Sequence, residues 1–246
     1  MPDMDNPYEQ QDRLYRELKQ KQPGLSFAKY AMDRVVKSME RGKVTNPEAA
    51  LTIALCNPAK FWEAAEKKAQ KWFKTMALKR SDRVIEYGCG SLRLGAHFIR
   101  YLNPGCFFGM DVVSGFYEVG IRTIGAEIVE RKKPKLGVID EDTLAAGVEF
   151  GADIVCSNTV CVHVHPDEIA EYFRNLIRLT AKPGARLIFN AVIYDRLHRF
   201  EFNSWAWPLE FYEDRLKELD LVHVEIGRER VKDGVHMKLV EFEFRR

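Results

Sequence analysis

The segment Val84-Ile85-Glu86-Tyr87-Gly88-Cys89-Gly90-Ser91-Leu92-Arg93-Leu94-Gly95 constrains this chain more than any other. Two β-branched residues run into an acid, two glycines follow at a spacing of two, and an amphipathic stretch reaches Leu102. That order reads as a strand, a tight turn and a helix start. A second apolar run, Cys106-Phe107-Phe108-Gly109-Met110, ends on Asp111. In an open parallel sheet, ligands sit outside the carboxyl ends of the strands, where the strand order reverses. An acid closing the second strand, about 20 residues after the glycines, is placed to accept hydrogen bonds from ribose hydroxyls. The turn and the acid together predict a nucleoside-containing ligand. Taken alone, the glycines also fit, though less well, a plain turn that needs backbone freedom and binds nothing.

Downstream of Ser81-Asp82 the pattern alternates. Strands are expected at Arg83–Tyr87, Cys106–Asp111, Lys135–Ile139, Ile154–Asn158, Arg186–Tyr194, Leu221–Arg228 and Val235–Phe244. Helices are expected at Leu92–Leu102, Gly115–Glu130, Pro166–Leu179 and Leu209–Leu219. Alternation of this kind implies an α/β fold, a doubly wound parallel sheet with helices on both faces. The last two strands have no helix between them, and Lys232-Asp233-Gly234 reads as a hairpin turn.

Residues 1–80 read differently, as an α-helical extension. A charged helix with Leu14 and Leu18 at helical spacing stops at Pro23-Gly24. Ser26 caps a second helix over 27–40, whose apolar set includes Phe27, Tyr30, Ala31, Val35 and Met39, and which Gly42 ends. Asn46-Pro47-Glu48 opens a short third helix through Leu55. Asn57-Pro58 opens a fourth, with Phe61, Trp62, Ala65, Ala69, Trp72, Phe73 and Met76 on its apolar face.

The 246 residues, 46% hydrophobic and 30% charged, suffice for one large domain with an extension. No apolar run approaches the roughly 18 residues of a membrane span. The acidic, polar start and the odd count of five cysteines point to a cytoplasmic protein with reduced thiols. Residues 1–80 carry 16 Lys/Arg against 10 Asp/Glu, whereas residues 81–246 carry 22 against 26. The basic excess peaks at Lys67-Lys68, Lys71, Lys74, Lys79 and Arg80. A basic face can attract an anionic substrate or nucleic acid. The plainer reading, a solvated helix face, is preferred.

Glu86-Tyr87-Gly88-Cys89-Gly90 resembles the first motif of class I S-adenosylmethionine-dependent methyltransferases, an acid followed by Gly-x-Gly. Asp111 resembles that family's ribose-binding acid. Asp153 to Thr159 is similar to its fourth-strand motif, and Leu179-Thr180-Ala181-Lys182-Pro183-Gly184 to its approach to the fifth strand. The resemblance covers residues 81–246. It departs at Leu92, where a third glycine is common. The dinucleotide G-x-G-x-x-G spacing is unmet because Arg93 takes its third glycine position. The family's sheet has seven strands, mostly parallel, with the last one reversed.

The resemblance implies S-adenosylmethionine as cofactor and S-adenosylhomocysteine as product. On it, Gly88, Cys89 and Gly90 let backbone approach the cofactor, Glu86 orients its amino end, and Asp111 with Val112 holds the ribose. Asp111 is expected to accept both ribose hydroxyls. Asp140 or Asp142, after the third strand, meets the adenine amino group. Ser157 and Asn158 face the methionine portion or the acceptor.

On a strand, Cys161, His163 and His165 would share one side as metal ligands, but no fourth ligand is evident. No metal is expected, and His163 is the candidate general base. The stretch Tyr194 to Pro208, with Trp205 and Trp207, reads either as a lid over the acceptor or as packing on the sheet. Tyr8, Tyr15 and Tyr30 are further candidates to cover the cofactor.

The leading function is methyl transfer to an oxygen or nitrogen of a small molecule. Alternatives are RNA or protein methylation aided by the basic helices, and a non-catalytic cofactor-binding subunit. No membrane partner is expected, and a homo-oligomer is compatible with the sequence.

Overall fold

The computed structural model describes residues 8–31, 33 and 58–246. The expected features at Val35, Met39, Gly42, Asn46 to Leu55 and Asn57 lie outside these residues. Helix α1 (Glu9–Lys21) is followed by a helical segment from residue 27, whose start the Ser26 hydroxyl caps by accepting from the Lys29 amide at 3.1 Å. Helix α2 (Pro58–Thr75) leads into the sheet. Then come β1 (Val84–Tyr87), α3 (Gly95–Tyr101), β2 (Phe107–Asp111), α4 (Ser114–Ile124), α5 (Ala126–Lys132) and β3 (Lys135–Val138). Next are α6 (Glu141–Phe150), β4 (Ile154–Ser157), a 3₁₀ turn at Cys161–His163, α7 (Ile169–Leu179) and β5 (Arg186–Ile193). The chain ends with β6 (His198–Glu201), β7 (Ser204–Ala206), α8 (Leu209–Arg215), β8 (Asp220–Lys232) and β9 (Val235–Arg245).

Seven strands form one sheet in the order β3-β2-β1-β4-β5-β9-β8. The pairings among β1 to β5 are parallel, and β9 runs antiparallel to both β5 and β8. The fold is therefore α/β, doubly wound, mostly parallel, with the last strand reversed. The chain turns one way from β1 to β2 and β3 and the other way to β4, so the switch point lies between β1 and β4.

Strands β1, β2 and β4 are buried at every position because helices cover both faces. Alternate residues serve opposite layers. Ile85, Val155, Leu187, Phe189, Phe242 and Phe244 pack with Phe173 of α7 and Tyr212 of α8. Val84, Ile154, Cys156 and Ile188 pack with Trp72 of α2 and Phe98 of α3. The β8–β9 loop is Asp233-Gly234, both with positive φ (50° and 77°), which is the geometry a two-residue hairpin needs.

The structure departs from the expected elements at four places. The helix after the glycine turn starts at Gly95 rather than Leu92, because Leu92 itself adopts φ 58°. The helix expected over Gly115–Glu130 is two helices, broken where Gly125 takes φ 92°. Helix α6 was not expected; Asp140 caps it by accepting from the Thr143 amide at 2.7 Å, and Gly151 ends it with φ 63°. The Tyr194–Pro208 stretch contains the β6–β7 hairpin.

Residues 8–31 dock on the segment after the 3₁₀ turn. The Glu168 carboxylate is the hub: it accepts from the Tyr15 hydroxyl, from Lys19 Nζ at 2.6 Å and from the Phe27 amide at 3.1 Å. Arg199 makes a two-pronged contact with Asp12 (2.8 and 2.9 Å) and sits over the rings of Tyr8 and Trp205. Glu168→Ala would leave three donors without their acceptor and so destabilise the protein by about 2–4 kcal/mol. The cut should be regional: limited proteolysis is expected to attack residues 8–31 first while the sheet stays intact, and mass spectrometry of the fragments checks this.

Candidate functional site

The parallel register brings Tyr87, Asp111, Val138 and Ser157 to one edge of the sheet. The glycine turn sits on that edge and is tied to β2. The amides of Gly88 and Cys89 both donate to the Met110 carbonyl (2.8 and 2.9 Å), and the Gly90 amide donates to Asp111 Oδ2 at 2.7 Å. Gly88 and Gly90 have φ of 76° and 53°, a conformation glycine adopts without steric penalty. A Cβ on Gly88 would fall 2.3 Å from Val160 Cγ2, whereas one on Gly90 would meet nothing within 4 Å. The Gly90 side of the turn therefore has open space. Leu92, at the position of the missing third glycine, is fully buried in the left-handed region. Its burial against the α2–α3 layer offsets that strain. Helix α4 comes close over the turn, since a Cβ on Gly120 would lie 2.3 Å from the Ser91 carbonyl oxygen.

Two acids lie beneath this turn. Asp111 is 6% exposed, and burial raises its carboxyl to about 6 against the pull of the Gly90, Val113 and Val112 amides. An ionised carboxylate has about four acceptor sites. The Gly90 amide takes one of them, and the Val112 and Val113 amides favour the charge from nearby, so acceptor capacity is left over. Glu86 is 3% exposed, and its Oε2 has no hydrogen-bond partner. Burial, then the neighbouring Asp111, pushes the Glu86 carboxyl well above its usual range, with Lys68 opposing. Gly95 is required here as well: a Cβ on it would lie 2.6 Å from Glu86 Oε2. Cys89 is buried, and burial pushes its thiol up.

The other expected residues separate. Ser157 is fully buried; its hydroxyl donates to the Tyr87 carbonyl (3.0 Å) and accepts from Tyr172 (2.9 Å), so it joins β1 to β4 and α7. Asn158 Oδ1 accepts from Asn190 Nδ2 at 3.0 Å. Asp140 is exposed, and the Thr143 amide holds its carboxyl below the usual range. It lines a cleft of about 630 Å³ between α6 and α7, together with Glu141, Glu171, Arg174 and Asn175. Asp142 is exposed in the first turn of α6 and does not line that cleft.

Cys161, His163 and His165 lie on and just after a 3₁₀ turn, not on a strand, and do not converge. Cys161 is in the core, and His165 packs against Tyr15, Phe27 and Trp205. Among the described residues no group of three or more His, Cys, Asp or Glu could hold a metal ion. His163 faces the β6–β7 hairpin, with Nδ1 2.7 Å from the Asn203 carbonyl oxygen. A carbonyl only accepts, so Nδ1 carries the proton and Nε2 the lone pair. Burial lowers the His163 pKa, so the ring is neutral near pH 7. Tyr15 and Tyr30 belong to the aromatic cluster with Phe27 and Trp205, away from the glycine turn. Trp205 packs in that cluster too, and Trp207 stacks on Phe211 of α8.

Three residues of the site were not expected. Lys68 belongs by sequence to a solvated face, yet it is half-buried, with Nζ 3.4 Å from the Thr159 hydroxyl. Burial, then Arg93, brings its pKa down to about 8, while Glu241 and Glu86 oppose. Thr159 follows β4 with φ 60°, and its amide donates to Asn190 Oδ1 at 2.5 Å. Lys68 and Asn190, with Trp72, Glu225 and Glu241, line a cavity of about 120 Å³ between α2 and the β5–β9–β8 edge. Both had a sequence signal. Lys68 falls between Ala65 and Trp72 at helical spacing, and Asn190 interrupts the apolar run Leu187 to Ile193.

No family profile matches the chain, and neither does any curated protein. Solved structures do match its shape. The cyclase SpnF superposes with TM-score 0.58 at 12% identity, over 75% of this chain and 82% of that one. Magnesium protoporphyrin IX methyltransferase from Synechocystis, with bound S-adenosylhomocysteine, gives 0.55 at 12% identity over 88% and 95%. The 1,6-didemethyltoxoflavin-N1-methyltransferase of Burkholderia thailandensis, with its substrate and S-adenosylhomocysteine, gives 0.52 at 16% identity over 90% and 91%. The chain has the Rossmann-like fold of class I S-adenosylmethionine-dependent methyltransferases.

The two turn glycines should differ in tolerance. Gly90→Ala adds only the positive-φ strain, about 1 kcal/mol. Gly88→Ala adds the Val160 overlap as well and is expected to destabilise by about 2–4 kcal/mol. Urea unfolding of both variants checks the order.

Proposed function

We propose that the chain is an S-adenosylmethionine-dependent methyltransferase acting on an oxygen or nitrogen of a small-molecule acceptor. Residues 81–246 would form the methyltransferase domain and residues 1–80 a helical cap. The observation that carries this reading is the cradle at the switch point: a positive-φ glycine turn with open space beside Gly90, the Asp111 carboxylate under it, and the orphaned Glu86 Oε2. These residues fit the cofactor. Glu86 Oε2 has hydrogen-bonding capacity to spare for an ammonium group. Asp111 has acceptor capacity left for ribose hydroxyls beside the Gly90 amide. The Val112 amide favours the Asp111 charge, and Asp140 rather than Asp142 would meet adenine, because its cleft adjoins the β3 end. Ser157 would act indirectly, by holding Tyr87 at the base of the turn.

When bound, S-adenosylmethionine supplies an electrophilic methyl group on a sulfonium centre. The protein's own task is positioning, since oriented reactants avoid much of the entropic barrier. His163 would act as general base: neutral and oriented by Asn203, it would take a proton from the acceptor on its Nε2 lone pair. Asn158, Thr159, Lys68 and Asn190 line the approach from β4 and β5 and would orient the acceptor. RNA or protein methylation has less support, because Lys71 is paired with Glu225 and Lys68 is half-buried. A non-catalytic binding subunit is the alternative reading, since this fold does not by itself imply methyl transfer: one neighbour is named a cyclase. The reduced Cys89, Cys106, Cys156 and Cys161 fit a cytoplasmic setting. Among the described residues no helix is long and apolar enough to cross a membrane.

Calorimetry with S-adenosylhomocysteine and NAD tests the cofactor reading. The first is expected to bind and the second not, and absence of binding by S-adenosylhomocysteine would overturn the assignment. The interaction should also depend on pH. The ligand-free Asp111 carboxyl sits at about 6, and only its ionised form accepts a ribose hydroxyl without competition from its own proton. Affinity should be flat above pH 7 and fall toward roughly tenfold per unit well below 6. Asp111→Ala should remove that slope. Once an acceptor is identified, His163→Gln is expected to lower kcat by about 10²–10⁴ while the S-adenosylhomocysteine Kd stays within about twofold.

A further inference from the structure

Strand β8 forms one edge of the seven-stranded sheet, and its 13 residues make it the longest strand there. Among the described residues no strand pairs with its outer side. Long apolar edges are normally covered or blunted, because a row of free amides and carbonyls templates further pairing. Here Leu221, Val222, Ile226 and Val231 are 40%, 48%, 57% and 54% exposed. Pairing of β8 with β9 sets Leu221 opposite Phe244, Val224 opposite Phe242 and Ile226 opposite Val240. Leu221 and Ile226 thus extend the apolar layer that α7 and α8 cover further in. Three of the charges on β8 are engaged inward and do little to guard the edge. Glu225 pairs with Lys71 at 3.0 Å, Glu229 with His236 at 2.9 Å and Arg230 with Glu201 at 2.6 Å.

We propose that two copies of this chain pair antiparallel through β8, about a twofold axis at Ile226, to form one continuous sheet. The register is fixed by charge. With Ile226 opposite its own copy, Leu221 meets Val231 of the partner subunit and Asp220 meets Lys232 of the partner subunit. No like charges are then opposed along the strand. A slip by two residues in either direction, which keeps the faces, opposes Glu225 to Glu225 or to Glu229. Like charges directly opposite are unfavourable, so one register stands out. The inference is independent of the cofactor reading, because β8 lies at the far edge of the sheet from the β1–β2 turn.

Sedimentation velocity of the full chain at micromolar concentrations tests it. The expected species has twice the 28.5 kDa chain mass. Ile226→Glu places two carboxylates at the axis and should yield monomer, with circular dichroism unchanged because the site is on the surface and melting lowered only by the loss of the partner. Asp220→Lys should weaken association by about tenfold, and adding Lys232→Asp should restore it. A wild-type monomer would mean that the bulges at Leu221/His223 and Ile226/Glu229 protect the edge, and would overturn the proposal. A dimer indifferent to Ile226→Glu, or a charge reversal that fails to rescue, would overturn it equally.

Discussion

The tie between the glycine turn and the second strand is the interaction on which the rest of this structure depends. One carbonyl, that of Met110, accepts two consecutive amides, and the next side chain, Asp111, accepts a third. These bonds form only if the chain leaves β1 through left-handed conformations, which is why Gly88 and Gly90 stand there. They fix the turn against the β2 end and aim Asp111 into it. Helix α4, through Gly120, then closes on the turn so tightly that a single methyl group would meet the Ser91 carbonyl. The site is shaped mainly by close backbone approach, with side chains added at its margin.

That geometry has an electrostatic consequence. Glu86 and Asp111 lie together in a region with little water, and each raises the free energy of the other's charge. Three backbone amides support Asp111, so its carboxyl moves only to about 6; Glu86 lacks such support and moves much further. Lys68 approaches from α2 and is itself shifted down by burial. The two acids therefore hold more hydrogen-bonding capacity than their neighbours satisfy, which favours a polar, charged ligand over an apolar one.

Much of the sheet was legible because burial on both faces writes itself as short, nearly unbroken apolar runs: Val84-Ile85, Phe107-Phe108 and Leu187 to Ile193. The same logic hid other elements. Asp140 was read as a ligand contact, which obscured its plain role as the cap of α6. The β6–β7 hairpin mixes aromatic and charged residues because its own Arg199 reaches Asp12 and the aromatic rings, so no period of two survives. Lys68 looked solvated because composition near it is basic; only the packing of α2 against β5 and β9 brings its amine to Thr159 and Asn190.

The sequence by itself determined the seven strands of the main sheet in chain order, the glycine turn, the acid at Asp111 and the hairpin at Asp233-Gly234. These depend on local φ preferences and on hydrophobic period, and both are written residue by residue. Tertiary structure alone decided which residues share the site. Ser157 turned inward to Tyr87 and Tyr172, His165 joined the N-terminal aromatics, and Glu168 became the anchor for residues 8–31. Those outcomes depend on contacts between positions as much as 153 residues apart, as Tyr15 and Glu168 are, and no local pattern encodes a distance in space.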